Sequence, residues 1–170
     1  MKDVTIRPTT ADDWQQVRDL RLEMLRDTPE AYVETVDAAL QHNEAEWRMR
    51  GERGTSDTGT ALVAIDHTGR WVGTMRASFF DPAEPPMLLG VYVAPSHRGR
   101  GAGVADALLD QIEDWAAQHA DELKLSVHEN NDRARAFYER RGYTLTGHTE
   151  PYPLDVTQRE FEMSRKLTRH

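Results

Sequence analysis

The stretch Val91–Gly103 decides the fold, and it reads VYVAPSHRGRGAG. An apolar segment typical of a buried strand ends at Pro95, and a glycine-rich turn then leads into an amphipathic segment typical of a helix. Such a turn directs several backbone N–H groups at one point, with the positive end of the helix dipole behind them. The stretch therefore predicts a site for an anion such as a pyrophosphate, to which Arg98 and Arg100 could add charge-assisted hydrogen bonds.

Two common phosphate-binding patterns do not fit this turn. A P-loop needs a Lys-Ser or Lys-Thr pair after its last glycine, and neither pair follows these glycines. The dinucleotide-binding pattern G-x-G-x-x-G needs a spacing that Gly99, Gly101 and Gly103 do not have. The turn therefore calls for a third interpretation.

The flanking sequence predicts a mixed α/β chain in the order β-α-α-β-β-β-α-β-α-β-β. No repeat or linker interrupts it, so residues 1–170 are predicted to form a single domain. The predicted strands cover residues 4–8, 61–65, 71–80, 87–93, 123–127, 143–146 and 160–167. The predicted helices cover residues 10–25, 43–50, 101–120 and 131–141. Residues 150–153 are predicted as a loop or an interrupted edge.

Two motifs in this order resemble those of the GNAT superfamily of N-acetyltransferases. Residues 98–103 fit its [QR]-x-x-G-x-[GA] signature, residues 131–138 (NDRARAFY) fit N-x-x-A-x-x-[LF]-Y, and Gly142-Tyr143 fits the closing G-[FY]. The resemblance implies the GNAT fold of the α/β (α+β) class, with a mixed, mostly antiparallel central sheet and flanking helices. It also implies that strands 87–93 and 123–127 splay apart and admit acetyl-coenzyme A (acetyl-CoA).

The resemblance gives each matched position a role. The backbone of Val91 and Val93 would pair with the pantetheine arm, and the N–H of Val91 or of a neighbouring residue would stabilise the oxyanion. Asn131 would bind the pantetheine, and Tyr138 would protonate the leaving thiolate. The expected catalytic residues are thus Tyr138 and Val91, and the expected cofactor-binding residues are Val91, Tyr92, Val93, Arg98, Gly99, Arg100, Gly101, Ala102, Gly103, Asn131, Ala134, Phe137 and Tyr138.

Other interpretations of these side chains stay open at this point. Arg98 and Arg100 could be solvated surface charges, since relatives bind the phosphates chiefly through backbone N–H groups. Asn131 could cap its helix, a role compatible with cofactor contact. Tyr138 could be a core aromatic.

The acceptor half of the site is less determined. Met87–Gly90 reads MLLG, whereas many relatives carry a Glu on this strand. The general base could therefore be a water chain or one of six side chains, which are Glu34, Glu84, His128, Glu129, Glu150 and Asp155. In this family the acceptor site is shaped by segments that correspond to residues 28–42, 81–86 and 149–155. The candidate substrate residues in these segments, and at the adjoining position 80, are Tyr32, Glu34, Phe80, Tyr152 and Asp155.

Composition sets outer limits on function. The net charge of −8 does not favour a nucleic-acid partner, and it is compatible with a cationic substrate. The chain has no cysteine and its histidines lack ligand spacing, so no metal is expected. No apolar run is long enough to span a membrane and the N-terminus has no signal-peptide pattern, so we expect a cytoplasmic protein without a membrane partner.

These observations predict an acetyl-CoA-dependent N-acetyltransferase. It would act on the amine of a small molecule or peptide by direct transfer through a ternary complex, as a monomer or homodimer. Acetyl-CoA or coenzyme A is the expected cofactor. The alternative is a GNAT-fold regulatory module that binds coenzyme A without turnover, which the missing acid at residues 87–90 motivates.

Overall fold

A computed structural model describes residues 3–168, in which seven strands form one sheet in the order β1-β2-β3-β4-β5-β7-β6. All neighbouring strands are antiparallel except β4 and β5, which are parallel. The strands are β1 Val4–Pro8, β2 Gly59–Asp66, β3 Trp71–Ser78, β4 Met87–Val93, β5 Glu122–His128, β6 Thr144–Tyr152 and β7 Asp155–Lys166. The helices are α1 Trp14–Asp27, α2 Val36–Leu40, α3 Glu44–Gly51, α4 Val104–Ala117 and α5 Asp132–Arg140.

Helix α4 packs on the sheet and contacts β2 to β5. Its buried side chains Val104, Leu108 and Ile112 recur every four residues, the spacing that places them on one helical face. Gly73 of β3 has no side chain and lets this face come close, because a Cβ there would stand 3.2 Å from Leu108 Cδ1. Helices α1 and α3 pack together at the β1–β3 side of the sheet, where α1 contacts β3.

Strands β4 and β5 splay apart, as predicted. They pair only at Met87 with Lys124 and at Leu88 with Leu125. Beyond these pairs Gly90 has a φ of +59°, and the register between β3 and β4 shifts at this position. A left-handed residue in a strand produces a bulge, and glycine adopts it without strain. The bulge at Gly90 therefore bends β4 where the gap to β5 opens.

The C-terminal hairpin is longer than predicted. Of residues 150–153, predicted as a loop or an interrupted edge, 150–152 belong to β6, which pairs Pro151 with Arg159, so the loop was wrong. The register shift between Pro151 and Tyr152 fits the interrupted edge. The sheet order places β6 at the edge, where a proline removes no hydrogen bond to a further strand.

The predicted helix ends also differ in places. The first predicted helix is a 3-10 turn at Ala11–Asp13 followed by α1, and the additional helix α2 begins after Thr35, whose side chain accepts the Ala38 N–H. Helix α4 starts at Val104, three residues later than predicted, because Gly103 has a φ of +70°. Over residues 3–168, no helix has the length and apolar character needed to cross a membrane.

Candidate active site

Two cavities meet where β4 and β5 separate. The large cavity has a volume of about 410 Å³ and lies among α1, α3 and the sheet. The small cavity has a volume of about 250 Å³ and lies between the glycine-rich turn and α5. The residues that line both are Ala31, Tyr32, Val91, Asn131, Ala134 and Tyr138.

The small cavity brings together the two sequence motifs. Ten of the thirteen expected cofactor-binding residues line it, so the turn and the α5 helix form one site although they lie about 30 residues apart. Gly101, Ala102 and Gly103 are not on its wall, and Ala102 is buried.

The glycine-rich turn has the shape of an anion cradle. Gly99 and Gly103 have left-handed φ values of +95° and +70°, and the Gly99 carbonyl accepts the Ala102 and Gly103 N–H groups at 3.2 and 3.3 Å. A Cβ built at Gly99 or Gly101 meets no atom within 4 Å, so this side of the turn is open. The first N–H groups of α4, from Val104 onwards, have no acceptor within the helix and carry its positive dipole end. These features fit a polyphosphate.

The two arginines of the turn behave differently. Arg98 donates from Nε to the Val93 carbonyl at 2.7 Å and pairs with Asp27 at the end of α1, while its guanidinium lies over the Tyr92 ring. Its side chain therefore fastens the turn to the rest of the protein. Arg100 is exposed and has no hydrogen-bond or ion-pair partner within residues 3–168, so its charge is available to a ligand.

Tyr138 lies at the junction of the two cavities. Its side chain is buried, yet its hydroxyl has no hydrogen-bond partner within the part of the chain that the structure describes. Burial and the nearby Tyr32 raise the pKa of Tyr138 well above its usual value, so the phenol is protonated at neutral pH. A protonated hydroxyl without an internal acceptor is a proton donor for a bound molecule.

Tyr32 and Asn131 form the rest of the junction. The Tyr32 hydroxyl donates to the Val91 carbonyl at 2.7 Å, and burial raises the pKa of Tyr32 to about 12. Asn131 caps α5, because its Oδ1 accepts the Ala134 N–H at 3.2 Å. Its side-chain amide donors have no partner among residues 3–168 and stand on the wall that both cavities share.

The large cavity is lined by four arginines from four separate elements, which the sequence analysis missed. Arg21 comes from α1, Arg50 from α3, Arg53 from the 3-10 turn Glu52–Thr55 and Arg76 from β3. Their spacing in the sequence matches no motif, so no local signal could have found them.

Glu34 forms ion pairs with two of these arginines. Its carboxylate accepts hydrogen bonds from Arg21 at 2.8 Å, from Arg50 at 2.8 and 3.0 Å and from His42 at 2.8 Å. Burial opposes ionisation, but these donors together hold the pKa of Glu34 far below its usual range. The carboxylate is therefore a permanent anion that fixes α1 to α3.

Arg53 and Arg76 have no carboxylate within hydrogen-bonding distance in residues 3–168. Burial lowers the pKa of Arg76 to about 10, helped by repulsion from Arg53, Arg21 and Arg50. Burial and the charge of Arg50 also lower the pKa of Arg53. Positive charge without a matching anion therefore faces the large cavity.

Glu160 is the carboxylate on the wall of this cavity. It lies on β7 opposite His128 of β5, and burial raises its pKa even though His128 acts in the other direction. His128 Nδ1 accepts the Asn130 N–H at 3.1 Å, so a ring proton is on Nε2, which is buried without a partner in the described residues. His128 Nε2 is thus a hydrogen-bond donor, and the Glu160 carboxylate is a hydrogen-bond acceptor on the same wall.

Residues 14–143 match the model of the acetyltransferase (GNAT) family. The chain belongs to this family. It is 28% identical over 142 residues to an uncharacterised N-acetyltransferase of Mycobacterium tuberculosis, with 82% of this chain and 84% of that protein covered. The predicted family and enzyme class are therefore confirmed, and acetyl-CoA is the cofactor that goes with them.

Solved GNAT structures show the same fold at low sequence identity. A GNAT acetyltransferase from Streptococcus pneumoniae has a TM-score of 0.79 at 17% identity, covering 97% of this chain and 99% of that one. A phosphinothricin acetyltransferase from Sinorhizobium meliloti, solved with acetyl-CoA, has a TM-score of 0.75 at 21% identity, covering 97% and 89%. A putative acetyltransferase from Salmonella typhimurium with acetyl-CoA has a TM-score of 0.77 at 17% identity, covering 99% and 96%. The expected GNAT fold is confirmed.

The acceptor residues suggested by the GNAT resemblance lie mostly outside the two cavities. Tyr32 lines both cavities. Glu34 lines neither, and its carboxylate is bound by Arg21, Arg50 and His42. Phe80 is 70% exposed, and Asp155 bonds Thr157 and Gln158 in the β6–β7 turn. Tyr152 lines neither cavity, but its hydroxyl donates to the carbonyl of Tyr32, which lines both, at 2.5 Å.

The remaining candidates for the base are also placed elsewhere. Glu84 and Glu150 are exposed and line neither cavity, and the Glu129 carboxylate accepts the Arg159 N–H at 2.9 Å. The sequence analysis missed Glu160 because a single acid on a strand carries no spacing signal.

Proposed function

We propose that this GNAT protein transfers the acetyl group of acetyl-CoA to the amine of a small molecule within a ternary complex. The observation that carries the proposal is the junction of two cavities at Tyr138 and Val91, which allows donor and acceptor to be present together. The chain has no cysteine, so a thioester-linked acyl-enzyme cannot form. A volume of about 410 Å³ for the large cavity suits a small-molecule acceptor.

The small cavity holds the donor in this proposal. The N–H groups of residues 99–101 and of the first turn of α4, which the carbonyls of the turn do not engage, bind the pyrophosphate, and Arg100 adds its charge. The backbone of Val91 and Val93 and the side-chain amide of Asn131 bind the pantetheine arm. Acetyl-CoA supplies an acetyl thioester, whose C–S bond breaks as the acceptor nitrogen forms the new C–N bond.

Glu160 and Tyr138 handle the protons. An alkyl amine has a pKa near 10 and arrives mostly as an ammonium ion, so Glu160 first removes one proton. Tyr138 then gives its proton to the departing sulfur, while the Val91 N–H donates to the carbonyl oxygen as it gains charge. The second nitrogen proton returns to Tyr138 through water, so each turnover releases one proton.

Acetyl-CoA and a panel of amines in a thiol-release assay test this function. Turnover with any amine excludes the alternative of a coenzyme A-binding module, and binding of coenzyme A without turnover across the whole panel would favour that module. We expect Tyr138→Phe to lower kcat by about 10² to 10⁴ and to leave the Kd for coenzyme A, measured by calorimetry, almost unchanged.

Tyr143→Phe is the matched control for Tyr138→Phe. Its hydroxyl donates to Glu113 at 2.8 Å and lines neither cavity, so its loss should reduce stability and leave kcat intact. Equal kcat values in Tyr138→Phe and wild type would remove Tyr138 from the acid role.

A further inference from the structure

We propose that the acceptor is an anionic amine, whose carboxylate or phosphonate group binds Arg53 and Arg76 while its amine faces Glu160. This inference rests on the proposed function, because it names the substrate class of the same site. It uses charges on the wall of the large cavity that neither the fold nor the cofactor needs.

The charge balance of the large cavity is the first step. Four arginines line it, but only Arg21 and Arg50 have acidic partners, which are Glu34 and, for Arg50, also Glu46. Arg53 and Arg76 are left without an ion pair in the described range 3–168. The wall of the large cavity therefore carries more positive than negative charge, with Glu160 as its carboxylate, although the chain as a whole has a net charge of −8.

Desolvation is the second step. A partly buried cation without a counter-ion is costly, and proteins usually pair such groups or place them where a ligand supplies the opposite charge. The lowered pKa values of Arg53 and Arg76 have burial as their largest cause, followed by repulsion from neighbouring arginines, which attraction from Glu46 and Glu34 partly offsets at Arg53. A bound oxyanion would relieve this repulsion and accept the guanidinium hydrogen bonds, which suit carboxylate and phosphonate geometry.

The position of Arg76 is the third step. Its side chain lies against the β4 bulge, where a Cβ added to Gly90 would stand 3.7 Å from Arg76 Cγ and 3.8 Å from Nε. Gly90 directly precedes Val91 at the junction with the small cavity. An oxyanion on Arg76 would therefore lie beside the point of acetyl transfer.

The distance between the anion site and the base sets the size of the acceptor. Arg76 is on β3 and Glu160 on β7, and β4 and β5 lie between them in the sheet. Three regular strand spacings amount to about 14 Å, the splay of β4 from β5 adds to this distance, and both side chains reach into the cavity from its two sides. A molecule the size of an amino acid spans what remains, with apolar contacts to Leu20, Met24 and Trp47 on the same wall.

A structural role explains Arg21 and Arg50 but not the other two. Arg21 and Arg50 join α1 to α3 through Glu34. Arg53 and Arg76 make no such connection in the described chain. A bound anion would give both guanidinium groups a partner of opposite charge.

Matched pairs of acceptors test the inference in the wild-type protein. The panel contains L-amino acids and straight-chain ω-amino acids, each with its carboxamide, together with 2-aminoethylphosphonate and ethanolamine. We expect at least one anionic amine to exceed its neutral partner by at least about tenfold in kcat/KM, with carboxylate and phosphonate arms showing which oxyanion is preferred.

Calorimetry on the protein loaded with coenzyme A gives a second readout that does not need turnover. Inorganic phosphate and the best anionic amine should bind to wild type, and Arg76→Gln or Arg53→Gln should weaken that binding at least tenfold. Arg76→Lys should retain part of the binding. Arg48→Gln is the matched control, because Arg48 lies on α3, bonds Glu44 and lines neither cavity.

The outcomes separate this inference from the proposed function. If carboxamides equal their acids in kcat/KM, or if neither phosphate nor any anionic amine binds to the loaded protein, the anion site is refuted while acetyl transfer to neutral amines still stands. If phosphate binding depends on Arg53 and Arg76 but no amine is acetylated, the anion site stands and the proposed function fails.

Discussion

The small and large cavities present charge in different ways. The small cavity presents backbone N–H groups from one continuous segment, shaped by the left-handed residues Gly99 and Gly103. The large cavity uses side chains from four elements that are distant in the sequence. Backbone recognition leaves a motif, whereas side chains that converge only in the folded state do not. The cofactor half of a GNAT site is therefore easier to read from a sequence than the acceptor half.

The two cavities also differ in how their arginines are satisfied. In the small cavity Arg98 is paired with Asp27 and fastens the turn. In the large cavity Arg53 and Arg76 have no acidic partner within residues 3–168. The Arg98–Asp27 pair holds the turn in place, whereas Arg53 and Arg76 leave positive charge that a bound anion could balance.

The largest expected effect is on chemistry in the large cavity. Glu160→Gln should lower kcat by about 10² to 10⁴ without changing coenzyme A affinity, because the amine then has no base. Since burial raises the pKa of Glu160, the wild-type rate should rise with pH through a midpoint above the usual glutamate value of about 4.3. A pH profile of kcat/KM checks this, and an unchanged acid limb in Glu160→Gln would contradict it.

The paired arginines should behave as structural groups. Arg50→Gln should destabilise the fold by about 3 kcal/mol, because it removes two hydrogen bonds from the nearly buried Glu34 carboxylate. Because the pKa of Glu34 is lowered in the folded state, its contribution is present above its ordinary pKa and is lost as pH falls below it. Urea denaturation at neutral and acid pH measures both effects, and equal stability of Arg50→Gln and wild type at neutral pH would contradict this role.

A substitution in the glycine-rich turn should weaken coenzyme A binding and leave the preference among acceptors unchanged. Gly103→Ala forces a side chain into a φ of +70°, which costs about 1–2 kcal/mol, so the Kd for coenzyme A should rise roughly tenfold. The preference for acids over carboxamides should stay the same. Gly147→Ala provides the control, because Gly147 has a φ of +91° in the β6–β7 hairpin, far along the chain from the turn. Weaker coenzyme A binding in both variants would point to a general loss of stability.

The smallest effect concerns the unpaired arginines. Arg76→Met should stabilise the ligand-free protein by about 1 kcal/mol, since it removes a partly buried charge that lacks a counter-ion. This corresponds to a rise in Tm of about 2–4 °C for a chain of this size. A thermal melt with and without the best anionic amine measures it, and a fall in Tm without ligand would show that Arg76 supports the fold.

The fold, and the grouping of the glycine-rich turn with the α5 motif, could be predicted because their signals are local. The strand, turn and helix around Val91–Gly103 follow from hydrophobic pattern and glycine, and Asn131 and Tyr138 follow from a short helical motif. Pro151 misled the prediction of β6, because proline is tolerated on an edge strand and only the sheet order identifies the edge.

The acceptor half could not be predicted for physical reasons that particular residues make clear. Glu34 is a plausible base in the sequence, but hydrogen bonds from Arg21, Arg50 and His42 hold it as a structural anion. The roles proposed for Arg53, Arg76 and Glu160 depend on burial and on neighbours from other elements. These properties exist only after the chain has folded.

Initial rates of thiol release, measured over a grid of acetyl-CoA and acceptor concentrations, test the central claim most directly. Two cavities that meet at Tyr138 and Val91 let both molecules bind together, so the reciprocal plots should intersect. Parallel plots, which indicate that coenzyme A leaves before the acceptor binds, would contradict transfer through a ternary complex at this junction.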